Sequence, residues 1–445
     1  MTALLCEAPP PVSTLLRGGR VLNPASGLDA VCDVLLRDGE IAAIGPDLSC
    51  EGVETVIELA PRHWVTPGLV DIHVHFRDPG RPDKETTASG AAAAIAGGFT
   101  TVCIMPNTTP TLDDLPTLAY VNQAARAVPI TIHPVPAATK GLAGEAITEM
   151  RSLYEQGAVG FTDDGRCIMN ANVMRLALSY SQMLNVPIMC HAEDYSLVGG
   201  GCMNEGYFST LLGVKGHPNT AESVIVARDI ELARQTGGHL HICHLSTREA
   251  VALVRQAKRE GLRVTAEATP HHLTLTDAAL QGYDPDFKMC PPLRAEEDRQ
   301  ALIAGLLDGT IDAIATDHAP HTPDEKALSL DEAPNGVVGL ETAVGVLLTH
   351  LVKTGIAPPL RLIELMTLAP ARLLNLSAGD LRVGARADVA VIDSDARWRV
   401  DPAAFKSRSR NSCFKGMALE GRPMMTFAAG RCLMDARPVM SAAAC

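Results

Sequence analysis

The 445-residue sequence predicts an α/β protein built around a (β/α)₈ TIM-like barrel, with a small β-sandwich domain formed by both chain ends. Between residues 66 and 314, short β-branched runs alternate with helical stretches, as in a parallel sheet with crossover helices. The flanks, residues 14–57 and 387–439, instead show short alternating strands and turns such as Arg37-Asp38-Gly39 and Ala429-Gly430. We therefore expect a barrel at residues 67–377 and one composite β domain at 1–66 and 378–445.

Eight candidate strands define the barrel in chain order, which is the number that closes this fold. A doubly wound open sheet is the alternative, but no glycine-rich dinucleotide turn follows the first strand. The predicted strands cover residues 69–75, 100–105, 130–135, 158–162, 186–191, 239–244, 263–267 and 311–316. The predicted helices between them include residues 84–96, 142–155, 221–234 and 248–260.

Residues 199–220 form the most conspicuous loop, with three successive glycines and little periodicity. They follow the fifth predicted strand and therefore lie at the end of the barrel where active sites are built. A lid over a site and a disordered surface loop are both consistent with this segment.

Composition and charge narrow the class of protein. The chain has 51 acidic and 38 basic side chains, a net charge of −13, and no block of like charges, which disfavours nucleic acid and anionic membranes as partners. No basic and apolar leader opens the sequence, so we expect a cytoplasmic protein. The twelve cysteines are scattered without a C-x-x-C pair, and we interpret them as reduced thiols.

Two histidines, His73 and His75, end the first predicted strand. Because strand side chains alternate, imidazoles two positions apart point to the same side, which in this strand is the barrel interior. Arg77 lies two residues further on and can reach the same mouth. A histidine pair alone is often structural, but its place at the carboxyl end of a barrel strand favours a metal site.

Other candidate ligands recur at the same end of other predicted strands, and this convergence is the strongest signal in the chain. Imidazole and carboxylate are ligands of Zn²⁺ and similar ions, and a catalytic site keeps one position open for water. We leave the remaining histidines as structural and expect His318 to point away from the neighbouring Asp317, while His321 lies on the following loop. The candidates are Asp163 and Asp164 after the fourth strand, His191 after the fifth, His244 after the sixth and Asp317 after the eighth.

These residues lie within motifs that span nearly the whole barrel. The matching segments are residues 67–80, 97–101, 105–108, 161–165, 291–294 and 315–321. On them, the sequence resembles the amidohydrolase superfamily and, within it, the longer bacterial dihydroorotases. H-x-H alone is typical of the whole superfamily, whereas H-x-H-x-R-D-P-G together with M-P-N-T, F-T-D-D-G and T-D-H-A-P-H is specific to dihydroorotases. Hydantoinases, allantoinases and many dihydroorotases have a carboxylated lysine on the fourth strand, where this chain has Thr162-Asp163-Asp164.

The resemblance implies a set of metal ligands and one catalytic residue. His73, His75 and Asp317 would hold one metal, and His191 and His244 the other. Asp164 would touch both, so we expect one or two Zn²⁺ ions per subunit, with Asp164 bridging if there are two. Asp317 would be the catalytic residue that moves the proton.

The resemblance also implies the substrate contacts, and one of them departs from the family. The contacts would be made by His75, Arg77, Asn107, Cys290, His321, Asn335 and Gly336. The family has asparagine where this chain has Cys290, directly before Pro291-Pro292-Leu293-Arg294. A thiol hydrogen-bonds weakly where an amide offers both donor and acceptor, so this position bears on substrate affinity more than on the chemistry.

The leading hypothesis is a zinc-dependent dihydroorotase that interconverts N-carbamoyl-L-aspartate and L-dihydroorotate in pyrimidine synthesis. One alternative keeps the chemistry and changes the ring, as in a hydantoinase or allantoinase, and Cys290 leaves that open. A second is an inactive scaffold for aspartate transcarbamoylase, although such scaffolds have lost metal ligands that this chain retains. We expect a homodimer acting on a small molecule, and association with aspartate transcarbamoylase stays open.

Overall fold

The flanking strands of the chain join one eight-stranded sheet in the computed structural model, which describes residues 12–437. Its path runs β18 (Arg431–Asp435), β17 (Ala418–Ala428), β16 (Val389–Arg399), β5 (His63–Pro67), β1 (Thr14–Asn23), β2 (Leu28–Arg37) and β3 (Glu40–Gly45), with β4 (Thr55–Glu58) paired to β1. Strands from both chain ends meet where β16 pairs antiparallel with β5, so the two flanks are hydrogen-bonded to each other. The domain boundaries at 66/67 and 377/378 stay a prediction, and residues 1–11 and 438–445 lie outside the described residues.

Strands dominate the two flanks, and helices alternate with strands between them. The strands are β1 (Thr14–Asn23), β2 (Leu28–Arg37), β3 (Glu40–Gly45), β4 (Thr55–Glu58), β5 (His63–Pro67), β6 (Leu69–Val74), β7 (Phe99–Ile104), β8 (Thr131–Pro134), β9 (Phe161–Thr162), β10 (Ile188–Cys190), β11 (Met203–Asn204), β12 (Gly216–His217), β13 (Leu240–Ile242), β14 (Val264–Ala268), β15 (Ala313–Ile314), β16 (Val389–Arg399), β17 (Ala418–Ala428) and β18 (Arg431–Asp435). The helices are α1 (Thr87–Ala96), α2 (Leu115–Arg126), α3 (Met150–Glu155), α4 (Ala171–Leu184), α5 (Tyr195–Val198), α6 (Tyr207–Leu212), α7 (Thr220–Thr236), α8 (Arg248–Arg259), α9 (Pro270–Thr274), α10 (Glu296–Asp308), α11 (Pro323–Lys326), α12 (Ala343–Leu347), α13 (Pro359–Leu365) and α14 (Leu368–Leu373).

Eight parallel strands close the predicted barrel in the order β6-β7-β8-β9-β10-β13-β14-β15. Two stretches are regular ladders, β6-β7-β8 and β9-β10-β13-β14-β15. Backbone hydrogen bonds outside the regular ladders join them: Val159 N donates to Pro134 O at 3.2 Å and Thr162 N to Pro136 O at 3.0 Å at one junction, and His75 N donates to His318 O at 2.8 Å at the other. The barrel fold is therefore confirmed, and the site lies where the carboxyl ends of these strands converge.

The last barrel strand is shorter than predicted, and side-chain hydrogen bonds add to its backbone pairing at both ends. The Asp312 carboxylate accepts the amide of Ala266 at 2.9 Å, and the Asp71 carboxylate accepts the amide of Thr316 at 3.2 Å. Asp71 also accepts the Thr316 hydroxyl at 2.5 Å. These bonds bind the start and end of β15 to its neighbours without regular strand geometry.

The predicted helix at 142–155 is wrong over its first half. Only α3 is helical there, because Gly141, Leu142 and Gly144 have φ of +62°, +55° and +70°, which a right-handed helix excludes. The predicted helix at 84–96 begins later, at Thr87, because Thr86 caps it with a capping box to Ser89. This leaves residues 84 and 85 in the loop beside the site.

Residues 199–220 are ordered and contain the paired strands β11 and β12 and helix α6. Met203 is fully buried and packs in a cluster with Leu280 and Met289. The buried Arg294 holds this segment by donating to the carbonyl of His217 at 2.7 Å. Its interpretation as a lid stays a prediction.

One continuous hydrophobic core lies between the barrel strands and their helices, and a second core lies in the sheet of the flanks. Every cysteine within residues 12–437 is a free thiol, in line with the sequence. Across the same residues, no helix has both the length and the apolar character needed to cross a membrane.

Candidate active site

His73 and His75 project from the end of β6 into the barrel mouth, as the alternation of strand side chains predicts. Both imidazoles are buried, and their ring centroids are 5.2 Å apart. Asp164, which follows β9, faces both: its Oδ2 lies 3.3 Å from His73 Nε2 and 3.4 Å from His75 Nε2. Asp317 adds Oδ1 at 3.0 Å from His75 Nε2 and 3.6 Å from His73 Nε2. These four side chains form the first predicted ligand group.

The other oxygen of Asp164 faces the second pair of histidines. Oδ1 lies 3.3 Å from His244 Nε2 and 3.8 Å from His191 Nδ1, and these two ring nitrogens are 3.0 Å apart. Asp164 therefore stands between two groups of ligands with one carboxylate oxygen toward each. This arrangement matches the bridging role that the motifs imply for it.

The spacing and the hydrogen bonding of this cluster fit divalent metal ions. Zinc binds imidazole nitrogen and carboxylate oxygen at about 2.0–2.2 Å, which places neighbouring ligands of a tetrahedron about 3.4 Å apart, close to the spacings in this cluster. Within the described residues, His73 Nε2 and Asp164 Oδ1 are buried without a hydrogen-bond partner. Buried polar atoms nearly always have a partner, and a bound cation would supply one for each of these two atoms.

Two carboxylates that the sequence interpretation missed orient the histidines from behind. Glu267 on β14 is fully buried and accepts from His73 Nδ1 at 2.5 Å and from His241 Nε2 at 3.1 Å. Glu193 accepts from His191 Nε2 at 3.3 Å. Metal-binding histidines typically donate their second ring N–H to a carboxylate, which fixes the tautomer and the ring orientation.

Charge pairing keeps these carboxylates ionised. Burial opposes ionisation of Glu267 and Glu193, but the histidines they face outweigh it and lower the pKa of each to about 2. Burial likewise would raise the pKa of Asp317, while the hydrogen bond from His75 and the nearby histidine charges lower it well below its usual value. Several buried anions in one cluster favour the binding of cations between them.

Three site residues have backbone conformations that L-amino acids rarely adopt: φ is +56° at Arg77, +31° at His244 and +49° at Asp317. Residues in such regions are concentrated at active sites, where the surrounding packing holds them. At Asp317, the Asp71 bonds to the preceding Thr316 supply that packing. The strained backbone of Asp317 therefore indicates that its carboxylate is held in one orientation at the barrel mouth.

The cavity above the metal ligands has a volume of about 250 Å³. Arg77 is half-buried in its wall, and burial lowers its pKa to about 10, which leaves the guanidinium charged at neutral pH. Asn107 Oδ1 accepts from His75 Nδ1 at 2.8 Å, so Asn107 also orients a predicted metal ligand. The residues that line the cavity are His75, Arg77, Asn107, Asp164, Gly165, His191, Glu193, His244, Cys290, Asp317, Ala319, His321, Asn335 and Gly336.

Cys290 lies in this wall next to Glu193, with Sγ 3.1 Å from Oε1 and 3.8 Å from His191 Nε2. Burial and the charge of Glu193 raise the pKa of the thiol to about 11, so it is neutral and donates its proton to the carboxylate. The position where the family has asparagine therefore has a weak donor already engaged with Glu193.

The structure brings together the predicted ligands and substrate contacts, but it does not bring Asp163, the other candidate after the fourth strand, to the site. Asp163 turns away and accepts the amide of Thr139 at 2.8 Å. His318 points away from Asp317, as expected, and contacts Glu85 at 3.3 Å. Glu193 lies two residues after His191, so a histidine-acid spacing was present in the sequence, whereas Glu267 offered no such signal.

Comparison with known proteins agrees with this architecture. The model of the amidohydrolase family matches residues 64–433. A dihydroorotase from Pelotomaculum thermopropionicum is 48% identical over 96% of this chain and 99% of its own length. A dihydroorotase from Anaeromyxobacter dehalogenans is 49% identical over 94% of this chain and 96% of its own length.

Solved structures show the same fold. An L-hydantoinase (dihydropyrimidinase) from Arthrobacter aurescens superposes with a TM-score of 0.86 at 27% identity, covering 95% of this chain and 96% of its own. A dihydropyrimidinase from Brevibacillus agri, at 20% identity, superposes with a TM-score of 0.82 over 95% of each chain. With the ligand cluster in place at the barrel mouth, the chain belongs to the amidohydrolase family and, within it, to the dihydroorotases.

Proposed function

We propose that this protein is a zinc-dependent dihydroorotase that interconverts L-dihydroorotate and N-carbamoyl-L-aspartate, a step of pyrimidine synthesis. One observation carries the proposal: at the base of a cavity that contains Arg77, Asp164 presents one oxygen to His73 and His75 and the other to His191 and His244. Asp317 faces the same His73 and His75. Two dihydroorotases are nearly half identical to this chain over almost its full length, which supports dihydroorotate rather than hydantoin or allantoin as the substrate.

Two ions would be held by the two ligand groups, with Asp164 shared. When bound, such ions polarise a carbonyl and lower the pKa of water toward neutrality. Three side chains of this chain orient the imidazoles. Glu267 accepts the N–H of His73, Glu193 that of His191 and Asn107 that of His75. The other nitrogen of each ring is then free for a metal.

Asp317 is the group that moves the proton. In the hydrolytic direction, water adds to the ring carbonyl carbon, its proton passes to Asp317, and the carbon–nitrogen bond of the ring breaks as Asp317 returns that proton to the departing nitrogen. In ring closure the same carboxylate takes the proton from the attacking nitrogen and gives it to the leaving oxygen. Its lowered pKa keeps it ionised, and the bonds that the preceding Thr316 donates to Asp71 hold its backbone in place.

Substrate recognition would come from the cavity wall. Arg77 offers a planar, charged fork to the carboxylate of dihydroorotate. Asn107, His321, Cys290 and the backbone of Asn335 and Gly336 would contact the ring and the carboxylate. The small cavity volume suits a single six-membered ring with one carboxylate.

The test is turnover by the purified protein. Zinc-loaded protein should cyclise carbamoyl aspartate and open dihydroorotate, chelator-treated protein should do neither, and added Zn²⁺ should restore both. The reaction is followed by chromatographic separation of the two compounds. Faster opening of hydantoin or allantoin than of dihydroorotate would contradict the proposal and support the other ring, and loaded protein with no turnover of any ring would support a scaffold.

The same proposal extends to the setting of the enzyme: a cytoplasmic homodimer that works alone or with aspartate transcarbamoylase. Sedimentation of the zinc-loaded protein tests the dimer. Turnover measured with and without added aspartate transcarbamoylase tests the association, since a dependent enzyme should gain activity only with its partner.

A further inference from the structure

Lys84, which the proposed mechanism does not use, contacts His321 of the cavity wall. It belongs to the loop between β6 and α1, and only 8% of it is exposed. Its Nζ lies 3.2 Å from His321 Nδ1 and 2.9 Å from Glu325 Oε1. Its backbone is held too, because the Ser409 hydroxyl donates to its carbonyl at 2.8 Å.

The other ring nitrogen of His321 is also engaged. Nε2 lies 2.7 Å from the backbone carbonyl of Asn335. This close approach depends on Gly336, whose φ is +132° and where an added Cβ would stand 2.7 Å from Ala319 Cβ and 3.0 Å from His321 Nε2. Asn411 fastens the same corner by donating to the carbonyls of both Ala319 and Gly336 at 3.0 Å.

These partners determine where the ring proton is. An ammonium group has only donors, so Nδ1 facing Lys84 must be the acceptor, and a carbonyl has only lone pairs, so Nε2 facing Asn335 must carry the proton. We propose that Lys84 is a positioning residue that holds His321 as a neutral imidazole with its single proton on Nε2, the nitrogen that faces the carbonyl of Asn335. The functional part of this inference rests on the proposed role of His321 as a substrate contact.

The charges around His321 agree with this role. Burial lowers its pKa to about 3, and the positive charges of Arg77, Lys84 and Lys326 act in the same direction. The opposing charge is Glu325, whose Oε2 lies 3.5 Å from Nδ1. Lys84 contacts both groups: it donates to Nδ1 and pairs with the Glu325 carboxylate, whose negative charge would otherwise favour a proton on Nδ1.

Removing Lys84 should therefore change the protonation of His321. In Lys84→Met, Glu325 becomes the nearest partner of Nδ1, and the imidazole should gain a proton within the usual histidine range, about pH 5–8. If His321 lies beside the bound substrate, KM of this variant should rise about tenfold as pH increases through that range, because the positive charge of the ring near the substrate carboxylate is lost, while wild-type KM stays flat. The turnover number should change less than about twofold, because the metal ligands are untouched.

The experiment combines nitrogen-15 NMR of the histidine side chains with kinetics. His321 is assigned by its loss in His321→Gln, and its two nitrogens are followed from pH 5 to 8 in wild type and Lys84→Met. Wild type should keep one protonated and one unprotonated nitrogen throughout, and Lys84→Met should titrate. Lys84→Arg should keep the wild-type pattern, and Lys84→Met/Glu325→Gln should return toward it because the competing carboxylate is gone.

Arg81→Met is the matched control, since Arg81 also pairs with Glu325, at 3.1 Å, but makes no hydrogen bond to His321 within residues 12–437. It removes a positive charge from the same loop and should leave His321 unchanged. A Lys84→Met protein whose His321 keeps the wild-type pattern, or an Arg81→Met protein that titrates equally, would overturn the inference. The NMR result needs no substrate, so failure of the proposed activity would be seen separately.

Discussion

Glu267→Gln tests whether the carboxylate that binds His73 Nδ1 raises the affinity of the site for metal. Glu267 is fully buried and holds His73 and His241 with its two oxygens, at 2.5 and 3.1 Å. In the glutamine variant the amide oxygen can still accept from His73. The amide nitrogen then faces His241, whose proton can move to Nδ1, where the Thr265 hydroxyl lies 3.0 Å away and can accept it. The shape of the site is kept, and mainly the charge is lost.

The magnitude follows from that exchange. A hydrogen bond to a charged group contributes about 1.5–3 kcal/mol and a neutral one about 0.5–1.5 kcal/mol, so the loss at His73 is about 1–1.5 kcal/mol. This corresponds to a metal affinity about five- to tenfold lower, near the lower end of the 10- to 100-fold effect usual for such partners. Glu267→Ala should cost more, because His73 Nδ1 would be left buried without a partner.

Metal affinity is measured by competition with a chromophoric chelator at pH 7.5, after the zinc content has been determined. Glu222→Gln is the matched control: Glu222 is a buried carboxylate that accepts the amides of Ser246 and Thr247 at 2.9 and 2.8 Å and touches no metal ligand. It should lose stability and keep its zinc. A Glu267→Gln protein with wild-type affinity, or an equal loss in Glu222→Gln, would refute the reasoning.

Three further predictions concern the reaction itself. Asp317→Asn should lower the turnover number about 10²- to 10⁴-fold, the usual contribution of a proton-transfer group, and an unchanged rate in a zinc-loaded variant would rule Asp317 out as that group. Cys290→Asn, which restores an amide to the cavity wall, should lower KM for dihydroorotate with little change in turnover; a higher KM would indicate that the thiol bound to Glu193 is the better arrangement. Zinc occupancy should fall as pH decreases below about 6.5, because protons compete for the histidine ligands. Glu193 and Glu267, with pKa values lowered to about 2, should stay ionised over that range, so the loss of zinc is assigned to the histidines. Zinc occupancy that stays constant down to about pH 5 would contradict this assignment.

Sequence reasoning predicted the metal-ligand cluster because each ligand is tied to a local feature. His73 and His75 share a side of one strand by simple alternation, and Asp164, His191, His244 and Asp317 each follow a strand at the same end of the barrel. The closed barrel could be predicted from the number of alternating strands and helices alone. Local pattern was less reliable at element ends, as at 142–149, where positive φ values break the expected helix.

The groups that orient the site could not be predicted in this way. Glu267 is 194 residues from His73, Lys84 is 237 from His321, and Asn411 is 90 from the same histidine. Nothing in the local sequence of either partner signals these pairs, and the loop that carries Lys84 was itself predicted to be helical.

The sequence by itself therefore determined the fold class and predicted a set of metal ligands with the chemistry they would support. Only the tertiary structure decided which oxygen of Asp164 faces which histidines, which carboxylates fix the imidazole tautomers, and that both nitrogens of His321 are engaged. The physical reason is that strand alternation and strand-end position are properties of a short segment, whereas hydrogen bonds between buried side chains depend on how distant segments pack.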